Sequence, residues 1–137
     1  MWAIEKVSVL RSLEVFRTIP EEHLGEVAAV LKERQFRAGE TIIREGDMGT
    51  SMFILIDGRV WVHRNDVNIA VLGSGDIFGE LAALDRGART ASVTSMTDVV
   101  LLELDGTALY GLMSTHVELV RGLIRILCNR VRSNLPN

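Results

Sequence analysis

Apolar residues recur at helical spacing near the start of the chain. The spacing is three or four residues in Leu24, Val27, Ala28 and Leu31, which predicts an amphipathic helix. Pro20 precedes this stretch and suits a first helical position, where its missing N–H is not needed. The earlier apolar positions of 4–13 predict another short helix. We therefore expect a helical zone over residues 2–36.

The pattern changes between residues 37 and 104, where glycines separate short stretches rich in Ile, Val, Phe, Trp and Thr. The predicted strands are 41–44, 52–56, 59–63, 69–72, 90–94 and 99–104. Asn65 and Asp66 lie between two of them and favour a hairpin turn. Many short strands between frequent turns predict an all-β sandwich or roll rather than an alternating α/β fold.

The last zone, residues 105–137, is predicted to be helical again. Asp105 can cap a short helix that ends near Ser114, and Thr115 can cap a longer one. Residues 135–137 would end that longer helix. Its apolar stripe comprises Val120, Leu123, Ile124, Leu127 and Val131.

Length and composition limit the class of protein. The chain has 137 residues, of which 47% are apolar and 24% charged, as expected of one soluble globular domain. No apolar run is long enough to span a membrane, and the net charge of −3 argues against electrostatic binding of nucleic acid. A single cysteine, Cys128, excludes an internal disulfide and fits a cytoplasmic location.

One segment within the β zone carries the candidate chemistry. Residues 80–84 read as a single helical turn, whose first N–H groups have no partner within the turn. Gly79 would let a ligand approach the backbone, and Arg89 could bind two oxygens of a phosphate. Glu80 is an acceptor that tolerates a nearby phosphate only when it faces a donor such as a sugar hydroxyl. The segment therefore favours a phosphate joined to a ribose.

Two motifs in the right order resemble a known family. Phe78-Gly79-Glu80-Leu81-Ala82, followed by Arg89-Thr90-Ala91-Ser92-Val93, resembles the phosphate-binding cassette of the cyclic nucleotide-binding domain family. That family includes the catabolite activator protein, protein kinase A regulatory subunits and cyclic nucleotide-gated channels. Residues 39–47 and 52–60 resemble its first strands and turns, and the likeness extends from about residue 10 to 132.

The resemblance implies a mainly β fold, an eight-stranded antiparallel β-roll (a jelly-roll-like double-stranded β-helix) with helices at both ends. It implies one domain over residues 1–137. N-terminal helices would occupy 1–36, the roll 37–104 with the cassette at 78–93, and C-terminal helices 105–137, the last acting as a lid.

The resemblance also assigns roles to the site residues. Glu80 would accept from the ribose 2′-hydroxyl, and Arg89 would pair with the exocyclic phosphate oxygens. Thr90 would contact the base in members that bind cGMP well, although channels that prefer cAMP carry a threonine there too. Ala88 departs from the family, which usually has proline before the arginine. Backbone amides of Gly79, Leu81, Ala82 and the Ala91 region would complete the phosphate cradle. Ser133 and Asn134 would lie beside Arg130 at the far end of the last helix. The expected nucleotide-binding residues are Phe78, Gly79, Glu80, Leu81, Ala82, Arg89, Thr90, Ala91, Val71 and Arg130.

We therefore expect a regulatory sensor of cAMP or cGMP, without a cofactor, that acts on an attached or partner effector. It is not expected to be an enzyme, because the sequence shows no nucleophile–base pair. His23, His63 and His116 are scattered without ligand spacing, so no metal site is predicted, and a cupin-type metalloenzyme would need more histidines in the β zone. The alternative is a degenerate β-roll that serves only as a protein-interaction module. The sequence leaves open whether the last helix forms a homodimer.

Overall fold

The computed structural model describes residues 1–133. Its helices are α1 (Ala3–Ser12), α2 (Glu21–Val30), α3 (Glu80–Leu84), α4 (Gly106–Thr115) and α5 (Val117–Ser133). Among these described helices, none combines the length and the apolar content that crossing a bilayer requires.

The strands form antiparallel ladders. They are β1 (Lys32–Phe36), β2 (Thr41–Ile43), β3 (Met48–Gly49), β4 (Ser51–Asp57), β5 (Val60–Arg64), β6 (Val67–Leu72), β7 (Ile77–Phe78), β8 (Gly87–Ala88), β9 (Ser92–Ser95) and β10 (Val99–Asp105). One four-stranded sheet has the order β1-β10-β4-β7 and another the order β2-β9-β5-β6, while β3 pairs with β8. The predicted fold class, antiparallel β with flanking helices, is thus confirmed.

The chain divides into two compact units, one over residues 31–109 and one built from the segments before and after it. In the first, here called the β unit, side chains from both four-stranded sheets form one buried cluster: Ile43, Phe53, Leu55, Val60, Phe78, Val93, Val99 and Leu101. This cluster is the core from which the site-bearing loops extend.

The second, here called the helical unit, contains α1, α2 and α5. A Cβ added at Gly122 of α5 would lie 2.8 Å from the carbonyl oxygen of Val15, so the glycine permits a close approach of the helix to that backbone. Leu119 and Leu123 are buried on the same helix. The single domain over residues 1–137 stays a prediction.

Local turn chemistry was predicted well, and some boundaries were not. Asn65 and Asp66 join β5 to β6 with φ of 45° and 67°, the positive values of a tight hairpin turn. Asp105 caps α4 by accepting a hydrogen bond from the Thr107 N–H at 3.2 Å. Thr115, by contrast, does not cap α5, since its hydroxyl donates to carbonyl oxygens of α4.

The predicted helical zone to residue 36 is wrong at its end. Lys32–Phe36 is strand β1, which pairs with β10 in the register Lys32↔Glu103 to Phe36↔Val99. Its mostly polar sequence has no strand periodicity of its own. The strand exists because β10 offers it a hydrogen-bonding edge, and pairing of this kind overrides local preference.

Candidate functional site

The start of α3 is shaped by a glycine in a left-handed conformation. Gly79 has φ +79°, and a Cβ there would lie 3.0 Å from the carbonyl oxygen of Ser51. Any other residue at this position would be strained and crowded. The turn directs Glu80 inward, where it is only 3% exposed.

Arg89 is held by its backbone on both sides. Its N–H donates to the carbonyl oxygen of Asp47 at 2.8 Å, and its own carbonyl oxygen accepts from Gly46 at 2.9 Å. The preceding residues pair in the short ladder of β3 and β8, with Met48↔Ala88 and Gly49↔Gly87. These contacts fix the position from which the arginine side chain extends.

The Arg89 side chain reaches the start of α3. Its Nη1 donates a hydrogen bond to the carbonyl oxygen of Gly79 at 3.0 Å. Partial burial lowers the pKa of Arg89 by desolvation, and the carboxylate of Glu103 acts in the opposite direction. The start of α3 therefore has a partly dehydrated cation hydrogen-bonded to Gly79 and, at the next residue, the buried acid Glu80, an arrangement that suits an anionic ligand with hydroxyl groups.

Gly49 is a site residue that the sequence analysis missed. A Cβ at this position would overlap the Arg89 guanidinium, with Cζ 2.5 Å away. The glycine thus leaves the space that the cation occupies. The only signal in the sequence was one more glycine among many turn glycines, which does not by itself indicate a role.

The remaining predicted residues fall into different environments. Leu81 is 50% exposed and available to a ligand, whereas Ala82 is buried. Thr90 is exposed and Ala91 half-buried, and the Thr90 carbonyl oxygen accepts a hydrogen bond from Arg64 Nε at 2.6 Å. Phe78 stacks on Phe53 with ring centroids 5.3 Å apart in the core, so its side chain supports the cassette from beneath.

Two predicted residues lie on other elements. Val71 is on β6, 56% exposed, opposite Trp61 in the ladder. Arg130 lies near the end of α5 and is half-buried within the helical unit. Ser133 ends α5, while Asn134 lies outside the described residues.

Comparison with known proteins gives the family. Residues 33–116 match the family model described as "Cyclic nucleotide-binding domain". This match covers more than half of the chain and includes both motifs noted above. The chain belongs to the cyclic nucleotide-binding domain family.

The relatives of this chain include transcriptional regulators. A CRP-like cAMP-activated global transcriptional regulator of Mycobacterium tuberculosis is 29% identical over 94% of this chain. The chain spans 60% of that regulator's length. The crystal structure of the N-terminal domain of a transcriptional regulator from Streptomyces coelicolor is 32% identical, with a TM-score of 0.75 and 91% of each chain covered.

A second similar structure is that of cAMP-bound PfPKA-R. It is 27% identical with a TM-score of 0.85, covering 95% of this chain and 45% of that one. The resemblance to the family and the β-roll fold are both confirmed by these matches.

Proposed function

We propose that the β unit binds a cyclic nucleotide, with the phosphate on Arg89 and the ribose on Glu80, and that it serves as a regulatory module. Membership of the family supports the ligand class. The single observation that carries the assignment of the phosphate site is the Arg89 guanidinium held against Gly49 and hydrogen-bonded to Gly79.

The chemistry of the proposed contact follows from charge and shape. A cyclic nucleotide carries one negative charge spread over two exocyclic oxygens, and a guanidinium presents paired N–H donors that match them. Because Arg89 is already partly dehydrated, less solvation is lost when the anion binds. The N–H groups of Gly79, Leu81 and Ala82 would add donors around the same phosphate.

Glu80 would recognise the sugar. It is buried at the beginning of α3, where a carboxylate facing the phosphate alone would be repelled. A ribose 2′-hydroxyl would donate to it and separate the two negative groups. A 2′-deoxy analogue is therefore expected to bind more weakly, since it leaves a buried acceptor without that donor.

We favour cAMP as the ligand, because two of the similar proteins are named for cAMP. cGMP is the second ligand to test, on the basis of Thr90. Thr90 is exposed next to Arg89, and its hydroxyl would contact the base of a ligand whose phosphate pairs with the guanidinium.

The output is proposed to pass through α5. A ligand that binds one conformation of this helix better shifts the population towards it, and Arg130 would supply a polar contact to the purine. The effector would be an attached domain or a partner protein in the cytosol, and the module itself would carry no catalysis. Self-association through α5 is a further part of this proposal.

The direct test is isothermal titration with cAMP and with cGMP. Saturable binding of either is expected. Arg89→Ala should weaken it by about 2–5 kcal/mol, because a group that pairs with a buried charge is lost. The matched control is Arg86→Ala, which removes an arginine from the same loop whose Nη2 contacts Thr107 at 3.3 Å instead. No heat with either nucleotide at high micromolar concentration, or normal binding by Arg89→Ala, would overturn the assignment.

A further inference from the structure

Two histidines and a glutamate meet within the helical unit. His23 and Glu26 lie three residues apart on one face of α2. His116 lies between the end of α4 and the start of α5. It is separated from Glu26 by ninety residues of sequence, which is why spacing along the chain gives no sign of the cluster.

The side-chain atoms converge on one point. His116 Nε2 is 3.4 Å from Glu26 Oε2, and His23 Nδ1 is 3.6 Å from Glu26 Oε1. One ligand atom from each residue lies within 4.8 Å of the others. In a tetrahedral zinc site with bonds of about 2.1 Å, ligand atoms lie roughly 3.4 Å apart. The two distances, each to a different oxygen of the Glu26 carboxylate, are therefore near the separation expected of ligand atoms around zinc.

The environment of the cluster combines an anchored ligand with open access. His116 is 6% exposed and is held by its backbone, since its N–H donates to the Leu112 carbonyl oxygen at 2.8 Å and its own carbonyl oxygen accepts from Leu119 at 3.1 Å. The side chains of His23 and Glu26 are 42% and 62% exposed. An ion from solvent can thus reach a site whose deepest ligand is already in place.

We propose that His23, Glu26 and His116 form a binding site for a zinc ion. Neutral imidazole nitrogens together with one carboxylate oxygen are ligands that zinc prefers. The carboxylate offsets part of the ion's charge, and water would occupy the fourth position. No step of this proposal depends on cyclic nucleotide binding in the β unit.

The consequence of the site is structural. A bound ion would tie α2 to the corner between α4 and α5. Since binding to the folded state alone raises stability, zinc should stabilise the helical unit.

The test is a titration of the metal-free full chain with ZnCl₂, followed by calorimetry and by thermal unfolding. One ion per chain and a raised melting temperature are expected. His23→Asn, at a half-buried position, and Glu26→Gln, at an exposed one, should each reduce affinity at least tenfold. The controls are His63→Gln, which removes the histidine of the β unit, and Glu22→Gln, a neighbouring acid on α2; neither should change affinity.

Cys128 is exposed and could bind zinc by itself, so the titration is repeated with Cys128→Ser, which should behave like the original chain. Because His116 is buried, its substitution risks unfolding the protein, and the variants of the more accessible His23 and Glu26 decide the question. Absence of saturable binding would overturn the proposal. So would equal affinity in His23→Asn, Glu26→Gln and the two controls.

Discussion

The guanidinium of Arg89 lies where a side chain at Gly49 would begin. The ladder of β3 and β8 brings them together, because Gly49 pairs with Gly87 two residues before the arginine. The position of the cation is therefore set by a backbone register and by a missing Cβ, as well as by its hydrogen bond to Gly79.

Gly49→Ala should displace the Arg89 side chain and weaken cyclic nucleotide binding about tenfold or more, since the added Cβ overlaps the guanidinium. Gly87→Ala is the matched control. It changes the ladder partner of Gly49, yet among the described residues other than its chain neighbours its Cβ would come within 4 Å only of the Asp85 carbonyl oxygen, at 3.6 Å. Calorimetric titration of both variants checks this, and equal affinities would show that Gly49 does not position the arginine.

Thr90→Ala should cost cGMP about 1 kcal/mol more binding energy than cAMP, the typical value of one hydrogen bond to the base. Thr90→Ser keeps the hydroxyl, so its relative affinity for cGMP and cAMP should equal that of the original chain. The measurement is the ratio of the two dissociation constants in each variant. An unchanged ratio in Thr90→Ala would mean that the threonine does not read the base.

Ser95 and Ser92 lie on the same strand, β9, but replacing each with alanine should have opposite effects on stability. Ser95 is 2% exposed, and its Oγ has no hydrogen-bond partner within residues 1–133, so Ser95→Ala should leave the free energy of unfolding unchanged or raise it by about 1 kcal/mol. Ser92 Oγ accepts from the Glu45 N–H at 2.9 Å. Ser92→Ala should therefore lower that free energy by about 1–2 kcal/mol.

Denaturant unfolding of the two serine variants compares them directly. If Ser95→Ala were the more destabilising of the pair, its hydroxyl would have to make a contact that the described structure lacks.

The sequence predicted those parts of the molecule that depend on local chemistry. The turn at Asn65 and Asp66 and the cap at Asp105 each need only a suitable side chain at one position, and both formed as expected. The helical turn expected at residues 80–84 also formed, while the binding roles assigned to the residues around it stay a prediction.

The parts that were missed depend on residues distant in sequence. Strand β1 exists through its pairing with β10, and the role of Gly49 appears only when the arginine lies over it. His23 and His116 looked unrelated because the fold of the helical unit, rather than their spacing, brings their rings to 5.1 Å between centroids. Such contacts follow from tertiary structure and leave no local pattern.

Alanine substitutions at two helical glycines should have opposite effects on stability, one because of close packing and the other because of helix propensity. Gly122→Ala should destabilise the protein by about 1–3 kcal/mol, because its Cβ would lie 2.8 Å from the Val15 carbonyl oxygen, a backbone atom that cannot easily move. In Gly111→Ala, in α4, the new Cβ would meet no atom of residues 1–133 outside its own helix within 4 Å, and the change should stabilise the protein by up to about 1 kcal/mol. Thermal unfolding of both variants tests the pair, and a stabilising Gly122→Ala would disprove the close approach.

The helical unit is assembled from the beginning and the end of the chain, whereas the β unit is one continuous stretch. During synthesis, α1 and α2 leave the ribosome before α5 has been translated, so the unit can be completed by α5 only after the intervening strands have emerged. The order in which the units mature is therefore expected to differ from the order of the sequence, with the roll first and the helices last.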